Sequence, residues 1–433
     1  MEKRKIGQNP MLRVMRLRDF RLLFSGSAIS LLGDQFALIA TPWLVLKLTD
    51  DPLVLGIVLG LEGIPRAIFM LLGGAISDRF SPRIIMLISD IIRLILTGLM
   101  AFVIVSGMIQ VWMLYAFGLG FGLVAGFAIP AQNSIVPFLV GEKDLHAGNS
   151  LILSITQLVG FVGPTVAGII IGKHGGSYSG ISTAFAFDAV TFGLSAICLW
   201  VMRVGGRPSP KEDTSDKETI WTAIGAGVKY LWNDAQMRLM FMILLTVNFL
   251  LIGPILVGIP VLAKERLPEG AAAFGLLMSA FAGGNMIGYL VAGSLPRPGG
   301  MLMRILIIGL FGAFGLVIGS LGFVLSTWVD FMTLFMVGLG NGYIAIILFT
   351  WIQTRTPKEM LGRIMSIVMF SNVGLVPVSQ AISGAVSKWS LTVLFASAGA
   401  LVLLVAVWTA FQPGIKTFSE NLTGTGHSAH TGN

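Results

Sequence analysis

Charge is what this sequence has least of. Of its 433 residues, 12% are Asp, Glu, Lys or Arg, while 55% are hydrophobic. A soluble domain carries about 25% charged residues, so the polar surface needed to keep a chain of this size in water is missing. Cysteine is nearly absent as well. The single Cys198 excludes an intramolecular disulfide and, lying in an apolar run, reads as a buried, inert thiol. Histidines are few and scattered: His146, His174, His427 and His430 fall in loops and the tail without ligand-like spacing, so no metal site is expected. No Gly-x-Ser-x-Gly elbow and no phosphate loop occurs, which argues against a membrane enzyme and leaves neither a catalytic residue nor a cofactor to expect. A sizeable soluble domain is also lacking, and with it the support for a non-transporting receptor or assembly factor.

Long apolar runs are what the chain does have. A helix needs about 20 apolar residues to cross the hydrocarbon core. Twelve runs qualify: 20–46, 53–76, 84–106, 109–131, 147–172, 181–202, 236–262, 272–295, 302–325, 328–352, 364–387 and 391–411. Runs three and four are parted by little more than Ser106–Gly107. The first run is too long for a cleaved signal peptide and reads as a retained helix. Gly is abundant, with 54 residues, and sits inside these runs, where it lets neighbouring helices approach closely.

The net charge of +8 does not point to nucleic acid, because the basic residues flank the apolar runs. With the N-terminus inside, 22 of the 29 Lys and Arg fall on inner ends and loops, five on outer ones, and two (Arg66 and Arg93) within spans. That bias predicts a multi-pass protein of the cell membrane with both termini cytoplasmic. The polar stretch 203–218, rich in Pro, Ser and mixed charge, divides the spans six and six. The expected organisation is an N-terminal six-helix half (1–203), a cytoplasmic linker with an amphipathic helix at 220–233 (204–235), a C-terminal six-helix half (236–413) and a disordered tail (414–433). A faint internal repeat agrees: Pro42 to Lys47 with Gly56 and Gly74 resembles Pro260 to Lys264 with Gly275 and Gly293, at an offset of about 218 residues. Repeated halves place a transport site at their interface, near the midplane.

A charged side chain at mid-span costs about 2.5–3.5 kcal/mol by insertion scales, and is a functional candidate for that reason. Asp34, Glu62, Arg66, Asp90, Arg93 and Asp188 are embedded, all in the first half. Glu62 with Arg66, and Asp90 with Arg93, are spaced to pair along one helix face. Such pairs serve equally as neutral struts of the bundle. Asp34, following Gly33, has no charged neighbour at helical spacing. A carboxylate so placed is costly to ionise and suited to exchanging a proton, which makes it the first candidate for proton coupling, with Glu62 second. In spans seven to twelve no acid is clearly embedded, since Asp330 falls near a span end; Asn248, Asn285, Asn341, Gln353, Asn372 and Gln380 are the polar residues there.

The loop after the second run reads Gly74-Ala-Ile-Ser-Asp78-Arg79-Phe-Ser-Pro-Arg83. It resembles the loop signature of the major facilitator superfamily, Gly-x-x-x-Asp-(Arg/Lys)-x-Gly-x-(Arg/Lys), with Ser81 in place of the second Gly. The resemblance implies a cytoplasmic gating loop in which Asp78 latches the two halves and Arg79 and Arg83 fix it. Thr356-Pro-Lys-Glu359 reads as a capping box opening a helix whose N-terminus could receive Asp78. In span five, Gly160, Gly163, Pro164 and Gly168 leave a flattened, kinked surface, and they resemble the Gly-Pro motif of the superfamily's exporters. Asp19 to Gly26 with Gly33-Asp34, Ser89-Asp90 to Arg93, and Pro130 to Ser134 with Pro137 look like its macrolide-efflux and enterobactin-exporter branch. The resemblance implies an all-α, polytopic membrane protein with twelve transmembrane helices in two pseudo-symmetric six-helix bundles. It further implies a monomeric, proton-coupled exporter of amphipathic small molecules such as drugs or macrolides, working by alternating access in the lipid bilayer. A siderophore or lipid translocator on the same scaffold is the alternative.

Overall fold

The computed structural model describes residues 10–77, 80–203, 220–295 and 300–412. All the regular structure among them is helical. A short α1 (Pro10–Arg16) leads into α2 (Arg18–Thr49), α3 (Pro52–Ser77), α4 (Pro82–Val105), α5 (Val111–Leu139), α6 (Leu145–Lys173) and α7 (Tyr178–Val201). The second series is α8 (Ile220–Asn233), α9 (Ala235–Val247), α10 (Gly253–Arg266), α11 (Ala271–Ser294), α12 (Gly300–Ser320), α13 (Thr327–Arg355), α14 (Lys358–Gly374), α15 (Val376–Trp389) and α16 (Leu391–Phe411). Ten stretches among the described residues are long and apolar enough to span a membrane, one of them the joined α9–α10 stretch Ala235–Arg266. Large apolar side chains such as Ile95, Phe102, Leu316 and Leu404 point outward, a surface that lipid covers and water would not.

The helix boundaries follow local chemistry. Gly107, at φ +72°, ends α4 and lets Met108 N–H reach back to the Val103 carbonyl, so the third and fourth runs are separate helices. Asp234 starts α9 by accepting from the N–H groups of Gln236 and Met237. Two runs that read as continuous are interrupted. Residues Asn248–Ile252 form a π segment between α9 and α10. The i→i+5 partner of the Phe249 carbonyl there is Pro254, which has no N–H; the Ser379 hydroxyl of α15 donates to that carbonyl instead. The run 364–387 breaks at Leu375, just before Pro377, into α14 and α15. The capping box expected at 356–359 is not built: the Thr356 hydroxyl donates back to Ile352 of α13 at 2.7 Å, and Pro357 takes the N-cap position of α14.

The chain forms two compact units. The first comprises the described residues of Met1–Asp50, Leu61–Glu212 and Glu269–Ser279. Its α7 packs along both α2 and α4, and α2 packs on α6. The second comprises those of Asp51–Gly60, Asp213–Pro268 and Ala280–Asn433. In it α12 packs on α16, α10 on α15, and the expected helix at 220–233 lies on α14, where Leu231 joins Met237, Ile352, Ile364 and Val368. The same glycine contacts recur in both units. In the first, Gly122 and Gly126 of α5 meet the backbone of α3 at Glu62 and Arg66. In the second, Gly338 and Gly342, 216 residues later, meet α11 at Phe281 and Asn285. Likewise a Cβ on Gly275 would lie 2.9 Å from Gly168 Cα, and one on Gly56 would lie 3.1 Å from Gly384 Cα.

Candidate functional site

The embedded charges of the first unit converge where α2, α4 and α7 meet, with α3 alongside. Arg83, at the start of α4, donates to the Leu199 and Trp200 carbonyls at the end of α7, both at 2.7 Å, and so ties the two antiparallel helices together. Two turns further along α4 come Asp90 and Arg93, which meet Ser195 and Phe192 of α7, with Asp188 within the field of Arg93. On α2, Gly26 and Gly33 are spaced seven residues apart and face that same strip. A Cβ on Gly26 would lie 3.1 Å from Cys198 Cβ, and one on Gly33 would overlap both Thr191 Oγ1 and Asp188 Oδ1. The glycine before Asp34 is therefore needed for α7 to come this close.

Arg93 reaches across from α4 to α2. Its Nη1 lies 3.6 Å from Asp34 Oδ1, and its guanidinium stands 5.2 Å from the centre of the Phe192 ring on α7. Asp34 lacks a charged neighbour along its own helix but has one in space, 59 residues later. Asp90, expected to pair with Arg93, instead accepts a 2.7 Å hydrogen bond from the Ser195 hydroxyl, while remaining in the field of Arg93 and Asp34. Glu62 and Arg66 face each other along α3 at 3.7 Å, and Glu62 also feels Arg93 and Asp34.

The cluster has an open edge and a closed back. The Asp34 side chain is 42% accessible, and Glu62 and Arg66 are about one-third accessible, so all three border open space. Asp90 and Asp188 are buried. Asp188 Oδ1 has no hydrogen-bond partner among the described residues, and its electrostatic neighbours are Asp34 and Arg93. Asp188 was visible in the sequence as an embedded acid, but helical spacing offered nothing to connect it with Asp34; the signal was Gly33, whose missing side chain makes the room.

The other expected residues fall elsewhere. Asp78 and Arg79 lie outside the described residues, Gly74 lies in the last turn of α3, and Arg83 is the α4–α7 anchor. Gly163 receives Gln35, whose Cγ lies 2.5 Å from where a Cβ would stand, so this part of the span-five motif touches α2 beside Asp34. Gly168 meets Gly275, Gly160 has open space beside it, and Pro164 lies inside α6, which runs unbroken from Leu145 to Lys173. In the second unit, Asp330 starts α13 as expected but is fully buried, with neither carboxyl oxygen hydrogen-bonded among the described residues. Arg266 acts on it electrostatically while donating to Gly322 and Thr392. Asn285 and Asn341 bond to each other at 2.8 Å across α11 and α13.

Comparison with known proteins agrees with this architecture. Residues 23–378 match the sequence pattern of the Major Facilitator Superfamily. The enterobactin exporter EntS of Shigella boydii (strain Sb227) is 25% identical over 395 residues, which covers 89% of each chain. The protein of the same name from Escherichia coli (strain UTI89) gives the same identity and coverage. Among solved structures, a POT family transporter in complex with 5-aminolevulinic acid superposes with a TM-score of 0.70 at 14% identity, covering 92% of this chain and 96% of that one. A bacterial homologue of the human lysosomal transporter Spinster superposes with a TM-score of 0.68 at 13% identity, covering 96% and 98%.

Proposed function

This chain belongs to the major facilitator superfamily, and on that premise we propose that it is a proton-coupled exporter of a small siderophore-like molecule, working by alternating access between its two six-helix halves. It is a multi-pass membrane transporter. The observation that carries the proton-coupled reading is the Asp34–Arg93 pair. Its 3.6 Å separation is too long for a hydrogen bond, and Asp34 borders accessible space deep within its helix. A proton arriving at Asp34 frees Arg93, and loss of that proton restores the pair. Charge at this point thus links proton occupancy to the arrangement of α2, α4 and α7.

The relatives support export, and they favour a siderophore over the drugs or macrolides that the motifs alone put first. The bias of 22 inner against five outer basic residues supports cytoplasmic termini. A gating loop at Gly74, Asp78, Arg79 and Arg83, and an exporter-type surface at Gly160, Gly163, Pro164 and Gly168, belong to the same reading.

The test is transport in proteoliposomes under an imposed pH gradient, with enterobactin and a macrolide offered separately. Gradient-driven movement of enterobactin, abolished in an Asp34→Asn protein that still purifies as a single species, is the expected result. Movement of the macrolide alone would move the substrate class to drugs. Movement that ignores the pH gradient would overturn proton coupling.

A further inference from the structure

We propose that Asp188 is a second proton-exchanging carboxyl of this transporter, alternating with Asp34 for the guanidinium of Arg93. The proposal rests on the proton-coupled reading above and adds a residue to it. Four carboxyls meet two guanidiniums in this part of the first unit. Glu62 and Arg66 neutralise each other along α3. Asp34, Asp90 and Asp188 are then left with Arg93 as the cation whose field reaches all three. A buried carboxylate without a counter-charge is too costly to keep, so a buried acid of this group holds a proton whenever Arg93 pairs with another.

The geometry says which. Arg93 stands by Asp34, Ser195 donates to Asp90, and Asp188 Oδ1 has no hydrogen-bond partner among the described residues. Asp188 is 1% exposed, and with Arg93 at Asp34 the proposal gives it the proton in this arrangement. Its Oδ1 sits in the space a Cβ of Gly33 would fill, next in sequence to Asp34. Gly33, the residue before Asp34, adds no side chain to this space. When the O–H bond of Asp188 breaks and one forms on Asp34, the negative charge passes the other way, Arg93 follows it, and the total charge is unchanged. Asp34 is the port to accessible space and Asp188 is the store behind it. Asp34 from α2 and Arg93 from α4 act on Asp188 electrostatically, while Asp90, also on α4, is held by Ser195 two turns further along α7. The third helix packed on α7, α6, has no ionisable side chain between His146 and Lys173.

The experiment is an infrared pH titration of protonated-carboxyl bands in the purified full-length protein without substrate, joined to the pH profile of enterobactin counterflow. The expected result is a titrating carboxyl band that disappears in Asp188→Asn, and persists in Asp34→Asn with its midpoint moved by about one pH unit or more, because coupled carboxyls titrate as a pair. The counterflow profile of Asp188→Asn moves along the pH axis, and Asp188→Glu restores it. A purely structural Asp188 would lower the amount of active protein without moving either profile, and that outcome overturns the proposal. If Asp188→Asn does not insert, the Asp34→Asn titration decides alone: a remaining band that does not shift overturns it. A profile changed by Asp34→Asn but not by Asp188→Asn removes Asp188 and leaves proton coupling standing. Profiles unchanged in both remove both.

Discussion

Replacing Gly33 by Ala tests whether the close approach of α2 and α7 is what assembles the charged cluster. The added Cβ would overlap Thr191 Oγ1 and Asp188 Oδ1, each by about an ångström or more relative to an ordinary contact, and would stand 3.1 Å from Thr191 Cβ. Thr191 is buried and its hydroxyl is committed to the Asp188 carbonyl at 2.7 Å, so it cannot swing aside freely. Overpacking of this kind costs about 1–3 kcal/mol, and a clash at two fixed oxygens belongs at the upper end. Ala in a helix returns about 1 kcal/mol relative to Gly. The net loss expected is about 2 kcal/mol. Gly160→Ala is the matched control, because nothing lies within 4 Å of the Cβ it would add; it should be neutral or slightly stabilising. Thermal unfolding in detergent micelles would rank the two. A double variant, Gly33→Ala with Thr191→Ala, removes one of the two clashes and should recover part of the loss, a non-additivity of at least about 0.5 kcal/mol. If Gly33→Ala proves as stable as Gly160→Ala, α7 does not depend on that glycine and the account of the cluster fails.

Two further predictions concern groups outside the spans. Burial pushes the Asp234 carboxyl up, but the Met237 N–H and Arg355, whose guanidinium nitrogens lie 3.0 and 3.1 Å away, outweigh it and hold its pKa below the usual range. Its contribution is therefore present above the ordinary carboxylate pKa of about 3.9 and is lost as pH falls through the lower folded value. Asp234→Ala should cost about 1–2 kcal/mol, and Asp234→Asn, which keeps a capping acceptor, should cost less, both read from melting curves. Asp51 follows the same sign: burial raises its pKa, but the Lys388 ammonium at 2.6 Å and the Leu53 N–H lower it further. Lys388→Ala should cost under about 1 kcal/mol near neutral pH, as exposed pairs do. The difference from the unaltered protein should shrink as pH falls below about 4 and be gone once pH has passed through the lower folded value, and a difference that survives full protonation of Asp51 would mean the ion pair is not its source.

The helices were legible because hydrocarbon imposes one rule on every span. Apolar length alone therefore located α2 to α7 and most of the second series within a few residues, apart from α5, which runs eight residues past the end of its run. Breaks inside a run were not legible, because Pro254 and Pro377 are tolerated in long helices, and whether they interrupt depends on a partner such as Ser379, over a hundred residues away. The candidate acids stood out for the same reason the spans did: charge is conspicuous against an apolar background. Their pairing did not. Spacing of three and four residues sees one helix face, so it joined Asp90 to Arg93 and left Asp34 alone. The structure gives Arg93 to Asp34 and Ser195 to Asp90. Gly33 carried the missing information, as a position where the absence of a side chain reports a neighbour.

The contacts of Gly56 with Gly384 and of Gly168 with Gly275 have a consequence for friction. Two bare backbones touching have no rotamers to freeze, so making or breaking such a contact costs no side-chain entropy, whereas ordering a long side chain such as Lys costs up to about 2 kcal/mol. At these points there are no side-chain knobs to lift out of holes. On α3 and α15 this smooth surface lies one to two turns from the Lys388–Asp51 ion pair. The helix pair thus meets through bare backbone at Gly56 and Gly384, with the Lys388–Asp51 ion pair as a charged clasp close by.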